Sequence, residues 1–182
     1  MHNIYLKKFY FIDHFNKEHI RNLDKSIIII YRNYSKKYSE KEIIEIKKFC
    51  KNIRRKFYLA NNIMLTNKLN LDGAYIPSFN RDLSVRILKI KKIHLLGSAH
   101  SIKEINEKKR QGIDLIFISP VFKVKKTKNF LGIIKFNNLS KLYDNKSVAL
   151  GGINQNNIKQ IKSQNCCGFA SISYIKESKM FY

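Results

Sequence analysis

The sequence predicts a single (β/α)₈ barrel domain spanning residues 1–182, and three observations lead to this fold class. Short apolar segments of strand length alternate with helical segments along the whole chain. This unit occurs eight times without a hairpin signal, which favours parallel strands closed into a barrel over an open sheet. Because a full barrel usually has about 200 residues or more, we expect a trimmed barrel whose last helix is short or absent.

The eight strands are recognised as short apolar runs, which is typical of strands buried on both faces. In chain order they are predicted at Phe9–Ile12, Ser26–Arg32, Phe57–Ala60, Gly73–Ile76, His94–Ala99, Leu115–Ser119, Ser147–Leu150 and Gly168–Tyr174. Helices are predicted between them at residues 39–55, 63–69, 83–90, 101–110, 135–142 and 154–163. Two of these helices begin with a capping box, Ser39 with Glu42 and Ser101 with Glu104.

The chain is strongly basic, with 36 Lys and Arg against 13 Asp and Glu and a formal net charge of +23. One interpretation is a nucleic-acid-binding protein. The other is compositional drift, because Lys, Ile, Asn and Tyr are abundant throughout and the basic residues form no tail or Arg-rich block. We favour drift and expect no specific nucleic acid partner, although a positive field still attracts anionic small molecules.

The cysteines and the apolar segments indicate the cellular compartment. Cys50, Cys166 and Cys167 have neither metal-ligand spacing nor the pattern of a disulfide framework. The first eleven residues lack the features of a signal peptide, and the Ile27–Ile30 run is far too short to span a bilayer. We therefore expect a cytoplasmic protein in a reducing environment, with no membrane partner.

The most informative local pattern lies after the last two strands. Gly151-Gly152 follows strand seven and lets the backbone approach an oxygen anion closely. Asn154 is placed to cap helix seven, whose free N–H groups favour a phosphate, and Ser173 ends strand eight beside that loop. Since loops after strands seven and eight form the phosphate pocket of many barrels, these residues predict a binder of phosphorylated metabolites.

Other polar residues stand where strands end. Arg32 ends an apolar strand, where a ligand contact is more common than burial without a partner. Thr127-Lys128, in the long loop after strand six, has the groups to clamp a second anion, although neighbouring lysines also fit a merely solvated loop. His100, after Ser98 in strand five, is a candidate general acid or base, or simply leads into the next helix cap.

Carboxylates are scarce at the expected rim. Asp72 and Asp114 each precede a strand, on the face of a barrel where roles are structural. Only Asp13 and Asp82 follow strands. A Mg²⁺ site built from carboxylates on neighbouring strands is therefore not visible, and we assign no metal ligand.

Several motifs in a fixed order connect the chain to a known family. They are Leu71 to Gly73, Gly97 to Ser101, Gly112 to Asp114, Ser119 to Phe122, Thr127-Lys128, Leu131-Gly132, Gly151 to Ile153 and Gly168 to Ser173. On these motifs the chain resembles the thiamine phosphate synthase / TenI family of (β/α)₈ barrels. The resemblance is clear over about two-thirds of the chain and weak in the N-terminal third.

The resemblance implies a transferase of thiamine biosynthesis. The family's synthase joins a pyrimidine pyrophosphate to thiazole phosphate and releases pyrophosphate, assisted by Mg²⁺. Matching positions imply that the thiazole phosphate is held by Gly152, Ile172 and Ser173. They imply that pyrophosphate is contacted by Arg32, Ser98, Thr127 and Lys128, with Asn61 also in the substrate site and with Arg32 and Lys128 as catalytic residues.

The chain also departs from the family pattern. Only Arg32 remains of the motif on strand two, and Ser119 replaces a glycine. The family's Asn-Asp aligns with Ala60-Asn61 or, shifted by one, with Asn61-Asn62, and its second metal-binding aspartate aligns with Asn80. Because an amide brings no charge, Mg²⁺ remains a possible cofactor with weak support. In the TenI branch a catalytic histidine stands where this chain has Pro120.

Three functions therefore remain open. The first is a synthase with an altered metal site, and the chain's enzymatic activity is uncertain although favoured. The second is a non-catalytic barrel that binds a phosphorylated ligand after its metal site has decayed. The third is nucleic-acid binding through the basic surface. The sequence does not give the oligomeric state.

Overall fold

The computed structural model describes residues 6–35, 38–124, 129–144, 146–162, 164, 166–172 and 174–175. Across these residues the parallel strands pair in chain order, and β8 pairs with β1 to close the sheet, which confirms the (β/α)₈ barrel. The strands are β1 Lys7–Ile12, β2 Ile27–Tyr31, β3 Phe57–Ala60, β4 Gly73–Ile76, β5 His94–Ala99, β6 Leu115–Ile118, β7 Ser147–Leu150 and β8 Gly168–Ala170.

Helices follow the strands on the outside of the barrel. They are α1 Lys17–Arg21, α2 Glu40–Asn52, α3 Ile63–Lys68, α4 Ile87–Ile90 after a 3₁₀ turn at Leu83–Arg86, α5 Ile102–Arg110, α6 Gly132–Lys141 and α7 Ile158–Lys162. In the described segments, no helix is both long and apolar enough to cross a membrane. The predicted stub after strand eight falls mostly on residues 176–182, outside the described part of the chain.

Two predicted boundaries differ from the structure by four residues, and one helix is not predicted, each for an identifiable reason. Strand eight ends at Ala170 because the Ser171 hydroxyl donates to the Ile153 carbonyl and accepts from the Tyr174 N–H, which turns the chain out of the sheet. Helix seven begins at Ile158, since Asn154 forms a turn ahead of it. Helix α1 is not predicted at all, because its five residues bury only one side chain.

An aromatic cluster fills the barrel interior. The Phe117 ring lies 4.9 Å from Phe9 and 5.4 Å from Tyr75, and Phe11 lies 5.2 Å from Tyr75, all edge to face. Outside the sheet, aliphatic side chains pack between the strands and the helices. Because the middle of the barrel is filled, ligands have access to its two ends.

The two aspartates before strands have the structural roles that the sequence predicts. The Asp72 carboxylate accepts from the Phe57 N–H at 3.0 Å, and Asp114 accepts from the Leu95 N–H at 2.7 Å. Each carboxylate therefore fixes the start of a strand to the start of its neighbour, away from the rim where the strands end.

Arg55 connects three carbonyl groups at the same end of the barrel. Its guanidinium donates to Leu23 O at 3.0 Å, Asp24 O at 2.8 Å and Ile27 O at 3.2 Å. The residue is buried, and burial lowers the pKa of its guanidinium. These bonds hold the turn between α1 and β2 against β3.

We expect Arg55→Met to lower the free energy of unfolding by about 3 kcal/mol, because three inward carbonyls lose a charged donor. Arg54→Met is the matched control. Arg54 is exposed next to Arg55, and its loss should change stability by no more than about 0.5 kcal/mol. Urea unfolding followed by circular dichroism gives both values, and equal losses would show that Arg55 does not fix this turn.

Candidate active site

A cleft of about 440 Å³ opens at the carboxyl ends of β1, β2, β7 and β8. This volume lies within the usual range of small-molecule sites. The residues that line it are Phe11, Arg32, Lys123, Val124, Leu150, Gly151, Gly152, Ile153, Asn154, Ala170, Ser171 and Ile172. The predicted positions Arg32, Gly152 and Ile172 thus come together in one cleft.

The two glycines of this cleft are required by their backbone. Gly151 has φ +95° and Gly152 has φ +70°, a region that favours glycine. A Cβ atom on Gly152 would lie 2.6 Å from the Lys123 carbonyl oxygen. The loop after β6 is also tied to this turn, because the Phe122 N–H donates to Gly151 O at 3.0 Å. The glycine pair therefore lets two rim loops approach closely.

Two backbone N–H groups at this cleft are available to a ligand. Within the described part of the chain, the N–H groups of Gly152 and Ile172 have no hydrogen-bond acceptor. Asn154 orders the turn that follows, with its side chain accepting from the Asn156 N–H at 2.9 Å. Asn157 then donates to Gly152 O at 2.8 Å. Asn154 Oδ1 also accepts from the Asn157 N–H at 3.3 Å, so Asn154 caps the turn that leads into α7, although the helix itself starts only at Ile158.

Arg32 supplies positive charge at the opposite wall. Its N–H donates to Ile12 O at 2.8 Å, which continues the pairing of β2 with β1. The guanidinium carbon lies 4.3 Å from the centre of the Phe11 ring. This cation–π contact holds the charge over the cleft, where it suits a phosphorylated ligand.

Ser98 lies inside the barrel, below the rim. It is only 5% exposed and does not line the cleft of Gly152. Burial raises the pKa of the Tyr75 hydroxyl, while hydrogen bonds from Ser98 and Arg32 act in the opposite direction. A direct contact between Ser98 and pyrophosphate stays a prediction.

An amide pair occupies the rim between β3 and β4. Asn80 Nδ2 donates to Asn61 Oδ1 at 2.7 Å, and Asn80 Oδ1 accepts from the Asp82 N–H at 2.9 Å. Asn62 is used elsewhere, since it caps α3 by accepting from the Leu65 N–H at 2.9 Å. The sequence leaves open whether the family's Asn-Asp corresponds to Ala60-Asn61 or to Asn61-Asn62. Because Asn61 and not Asn62 pairs with Asn80, the geometry favours Ala60-Asn61.

A buried lysine supports the loop that carries Asn80. Lys108 Nζ donates to Pro77 O at 2.8 Å, Asn80 O at 2.7 Å and Gln111 Oε1 at 2.8 Å. Gln111 Nε2 in turn donates to Asn80 O at 3.1 Å and Asp82 O at 2.9 Å. Both side chains are fully buried, and burial lowers the pKa of Lys108 to about 8.

Sequence reasoning missed Lys108 and Gln111 because polar residues on a helix are usually solvated. A signal was nevertheless present. Lys108 follows the buried Ile105 by three residues, which places it on the inward face of α5.

The residues at this part of the rim do not fit Mg²⁺. The described residues contain no cluster of three or more His, Cys, Asp or Glu side chains that could hold a metal ion. The Asp82 carboxylate, the one acidic group on this loop, accepts from the Ser84 N–H at 2.8 Å and from its hydroxyl at 2.5 Å. Its lowered pKa has these bonds as its main cause. Mg²⁺ sites are usually built on carboxylates, and the amide pair offers none.

His100 contacts the loop after β6, away from the cleft of Gly152. Its Nδ1 lies 2.7 Å from Ser119 O, which makes Nδ1–H the donor. Its backbone N–H donates to Glu104 Oε2 at 2.5 Å, and the Glu104 N–H donates to Ser101 Oγ at 3.3 Å. Ser101 thus caps α5 as predicted, while Glu104 bonds the N–H of the residue before the cap and not that of Ser101. In the first predicted capping box, Ser39 makes no side-chain cap bond, and Glu42 accepts from the Tyr31 hydroxyl at 3.1 Å instead.

Three predicted site residues, Thr127, Lys128 and Ser173, lie outside the described residues. Their assignments stay predictions. Lys123, at the near end of the same loop as Thr127 and Lys128, does line the cleft.

Comparison with known proteins gives the family. Residues 19–175 match the family described as thiamine monophosphate synthase. The chain belongs to the thiamine monophosphate synthase family. The match runs from α1 through β8, so it includes Arg32, Asn61, Asn80 and Gly152.

Relatives and a solved structure agree with this assignment. A thiamine-phosphate synthase of Prochlorococcus marinus subsp. pastoris is 32% identical over 144 residues, which are 76% of this chain and 40% of that protein. One of Fusobacterium nucleatum is 25% identical over 167 residues, 90% of this chain and 81% of that protein. The chain thus spans about two fifths of the length of the Prochlorococcus relatives. A thiamine phosphate pyrophosphorylase structure from Pyrococcus furiosus shares the fold, with a TM-score of 0.76, 17% identity and coverage of 96% of this chain and 92% of that one.

Gly152→Ala tests the anion-binding turn. We expect inorganic phosphate binding to weaken at least about tenfold, because the new methyl group displaces the turn whose N–H groups face the cleft. Gly112→Ala is the control, since Gly112 has φ +72° but its nearest neighbour to a Cβ atom, Lys89 Cγ, is 3.8 Å away. Isothermal titration calorimetry measures both variants. Equal phosphate affinity in the two would contradict a phosphate site at Gly152.

Proposed function

We propose that the protein is a thiamine phosphate synthase, which joins thiazole phosphate to a pyrimidine pyrophosphate and releases pyrophosphate. The observation that carries this proposal is the cleft whose lining brings together Arg32 and the unbonded N–H groups of Gly152 and Ile172. Family membership supports it, because the curated relatives carry the name of this activity. The predicted cytoplasmic location is part of this proposal.

The thiazole phosphate binds at the glycine turn. Its phosphate oxygens accept from the backbone N–H groups of Gly152 and Ile172, and the role of Ser173 there stays a prediction. Backbone donors suit this task because they are fixed by the turn before the ligand arrives. The phosphate thereby orients the thiazole ring, with its nitrogen directed toward the centre of the rim.

The pyrimidine pyrophosphate lies across the rim, between Arg32 and the Asn61–Asn80 pair. The bond from the pyrimidine methylene carbon to the diphosphate oxygen breaks, and its electron pair leaves with the diphosphate. The thiazole nitrogen then donates its lone pair to that carbon and forms the new C–N bond. Arg32, Thr127 and Lys128 stabilise the negative charge of the departing diphosphate.

A second candidate function is a barrel that binds phosphorylated ligands without catalysis. The observation in its favour is the uncharged amide pair at Asn61 and Asn80. It predicts thiazole phosphate binding by the purified protein without product. Both candidates therefore predict binding of thiazole phosphate, and only the synthase predicts formation of product.

Turnover is tested by incubating the protein with both substrates, in Mg²⁺ and in EDTA, and measuring thiamine phosphate by fluorescence after oxidation. We expect product formation that rises with protein concentration. Binding of thiazole phosphate without product at any protein concentration would reject the synthase and leave the second candidate.

Arg32→Met should lower kcat/KM by about 10²- to 10³-fold, since a charged group that stabilises the leaving diphosphate is lost. Arg110→Met is the control, because Arg110 is exposed at the end of α5, away from the cleft. Steady-state kinetics of the two variants measure the difference. If both variants retain the parental kcat/KM, Arg32 has no part in the reaction.

A further inference from the structure

We propose that an amide pair, held in place by Lys108 and Gln111, replaces a metal-binding half of the rim, so that a diphosphate group binds there without a divalent cation. The ligand class is a diphosphate ester or inorganic pyrophosphate. The identity of the ester rests on the proposed function, whereas binding of inorganic pyrophosphate does not.

The orientation of the amide pair follows from fixed donors. The Asp82 N–H and Gln111 Nε2 lie 2.9 and 3.4 Å from the same Asn80 atom, which must therefore be the carbonyl oxygen. Asn80 Nδ2 then faces Asn61 at 2.7 Å, and Asn61 presents its own oxygen there. The network thus settles both amide orientations without reference to any ligand.

With this orientation, Asn80 Oδ1 accepts two hydrogen bonds and Asn61 Oδ1 accepts one. A cation that approached Asn61 Oδ1 would lie next to the hydrogen atom that Asn80 Nδ2 donates there. A cation that approached Asn80 Oδ1 would lie next to the Asp82 N–H. In the described part of the chain, Asn61 Nδ2 donates to no acceptor. Asn61 therefore keeps both N–H donors for phosphate oxygens, and the oxygen lone pair that remains on it brings no negative charge for a metal ion.

Lys108 places a positive charge directly behind this pair. Its three donors are used by Pro77 O, Asn80 O and Gln111 Oε1, which are all uncharged. The neighbouring Glu107 carboxylate lies 3.4 Å from Arg81 Nε and forms an ion pair with it. A buried charge acts over a longer range than a solvated one, so the ammonium adds attraction for an anion at the rim.

The charges of the two arrangements can be compared. With the Lys108 ammonium counted in both, two aspartates and one Mg²⁺ would sum to +1, and Asn61 and Asn80 without a metal ion also sum to +1. Without the two carboxylates, a diphosphate meets no repulsion here that a metal ion would have to neutralise. The positive charge of Lys108 attracts the diphosphate in place of the metal ion.

Lys108 and Gln111 are positioning residues, since neither reaches the cleft. Gln111 Oε1 accepts from Lys108, which fixes Nε2 toward Asn80 O and Asp82 O. Loss of either side chain releases the 77–82 loop and, with it, the amide pair. A purely structural role would lower stability without a selective effect on diphosphate.

The test is calorimetry with inorganic pyrophosphate on the whole chain, in EDTA and in excess Mg²⁺. We expect the two dissociation constants to agree within about threefold. Asn61→Asp/Asn80→Asp should bind pyrophosphate at least about tenfold more weakly in EDTA and recover in Mg²⁺, because it restores two carboxylates. A wild-type protein that binds pyrophosphate only in Mg²⁺ would overturn the inference.

Lys108→Met should weaken pyrophosphate binding about tenfold while inorganic phosphate binding at the Gly152 cleft is unchanged. Lys47→Met is the matched control, because Lys47 is also a lysine whose Nζ donates to a backbone carbonyl. Its acceptor, Leu69 O at 2.6 Å, lies outside the rim. Gln111→Met provides a second variant if Lys108→Met fails to fold. Equal losses for both anions, or none, would overturn the positioning role.

These results separate this inference from the proposed function. Pyrophosphate binding in EDTA without any thiamine phosphate formation would support the metal-free site and reject the synthase. Thiamine phosphate formation with pyrophosphate binding only in Mg²⁺ would support the synthase and reject the metal-free site.

Discussion

Closure of the barrel between β1 and β8 is the contact on which the site depends. The strands pair with Lys7 opposite Gly168 and Phe9 opposite Ala170, and the Lys7 N–H donates to Cys167 O at 2.9 Å. A Cβ atom on Gly168 would lie only 2.3 Å from Lys7 O. This glycine therefore permits closure, which brings the first two strands beside the last two. Arg32 and Gly152 face the same cleft only because the sheet closes.

The rim has two halves, and we propose that they bind anions by different means. On one side, backbone N–H groups of a glycine turn face the cleft, and their position depends on the close approach of the loops after β6 and β7. On the other side, two amide side chains stand above a buried ammonium group. The Arg32 side chain, which lies over the Phe11 ring, lines the cleft beside the glycine turn. All of these groups favour negative charge, in keeping with the basic composition of the chain.

The sequence was sufficient for the fold and for several of the residues that line the cleft. The bounds of β3, β4, β5 and β7 agree with the apolar runs, because buried parallel strands carry a continuous signal. The end of β8 and the start of α7 could not be predicted, since hydrogen bonds of Ser171 and Asn154 decide them. Gly152 and Arg32 were recognisable as residues of unusual type at strand ends. Lys108 was not, because only the fold shows that its side chain is turned inward under Asn80.

The most direct test of this account is a crystal structure of the protein with thiazole phosphate. The account predicts the phosphate group within hydrogen-bond distance of the Gly152 and Ile172 N–H groups, in the cleft that Arg32 lines. A phosphate bound at another place on the barrel, with this cleft empty at saturating ligand, would contradict it.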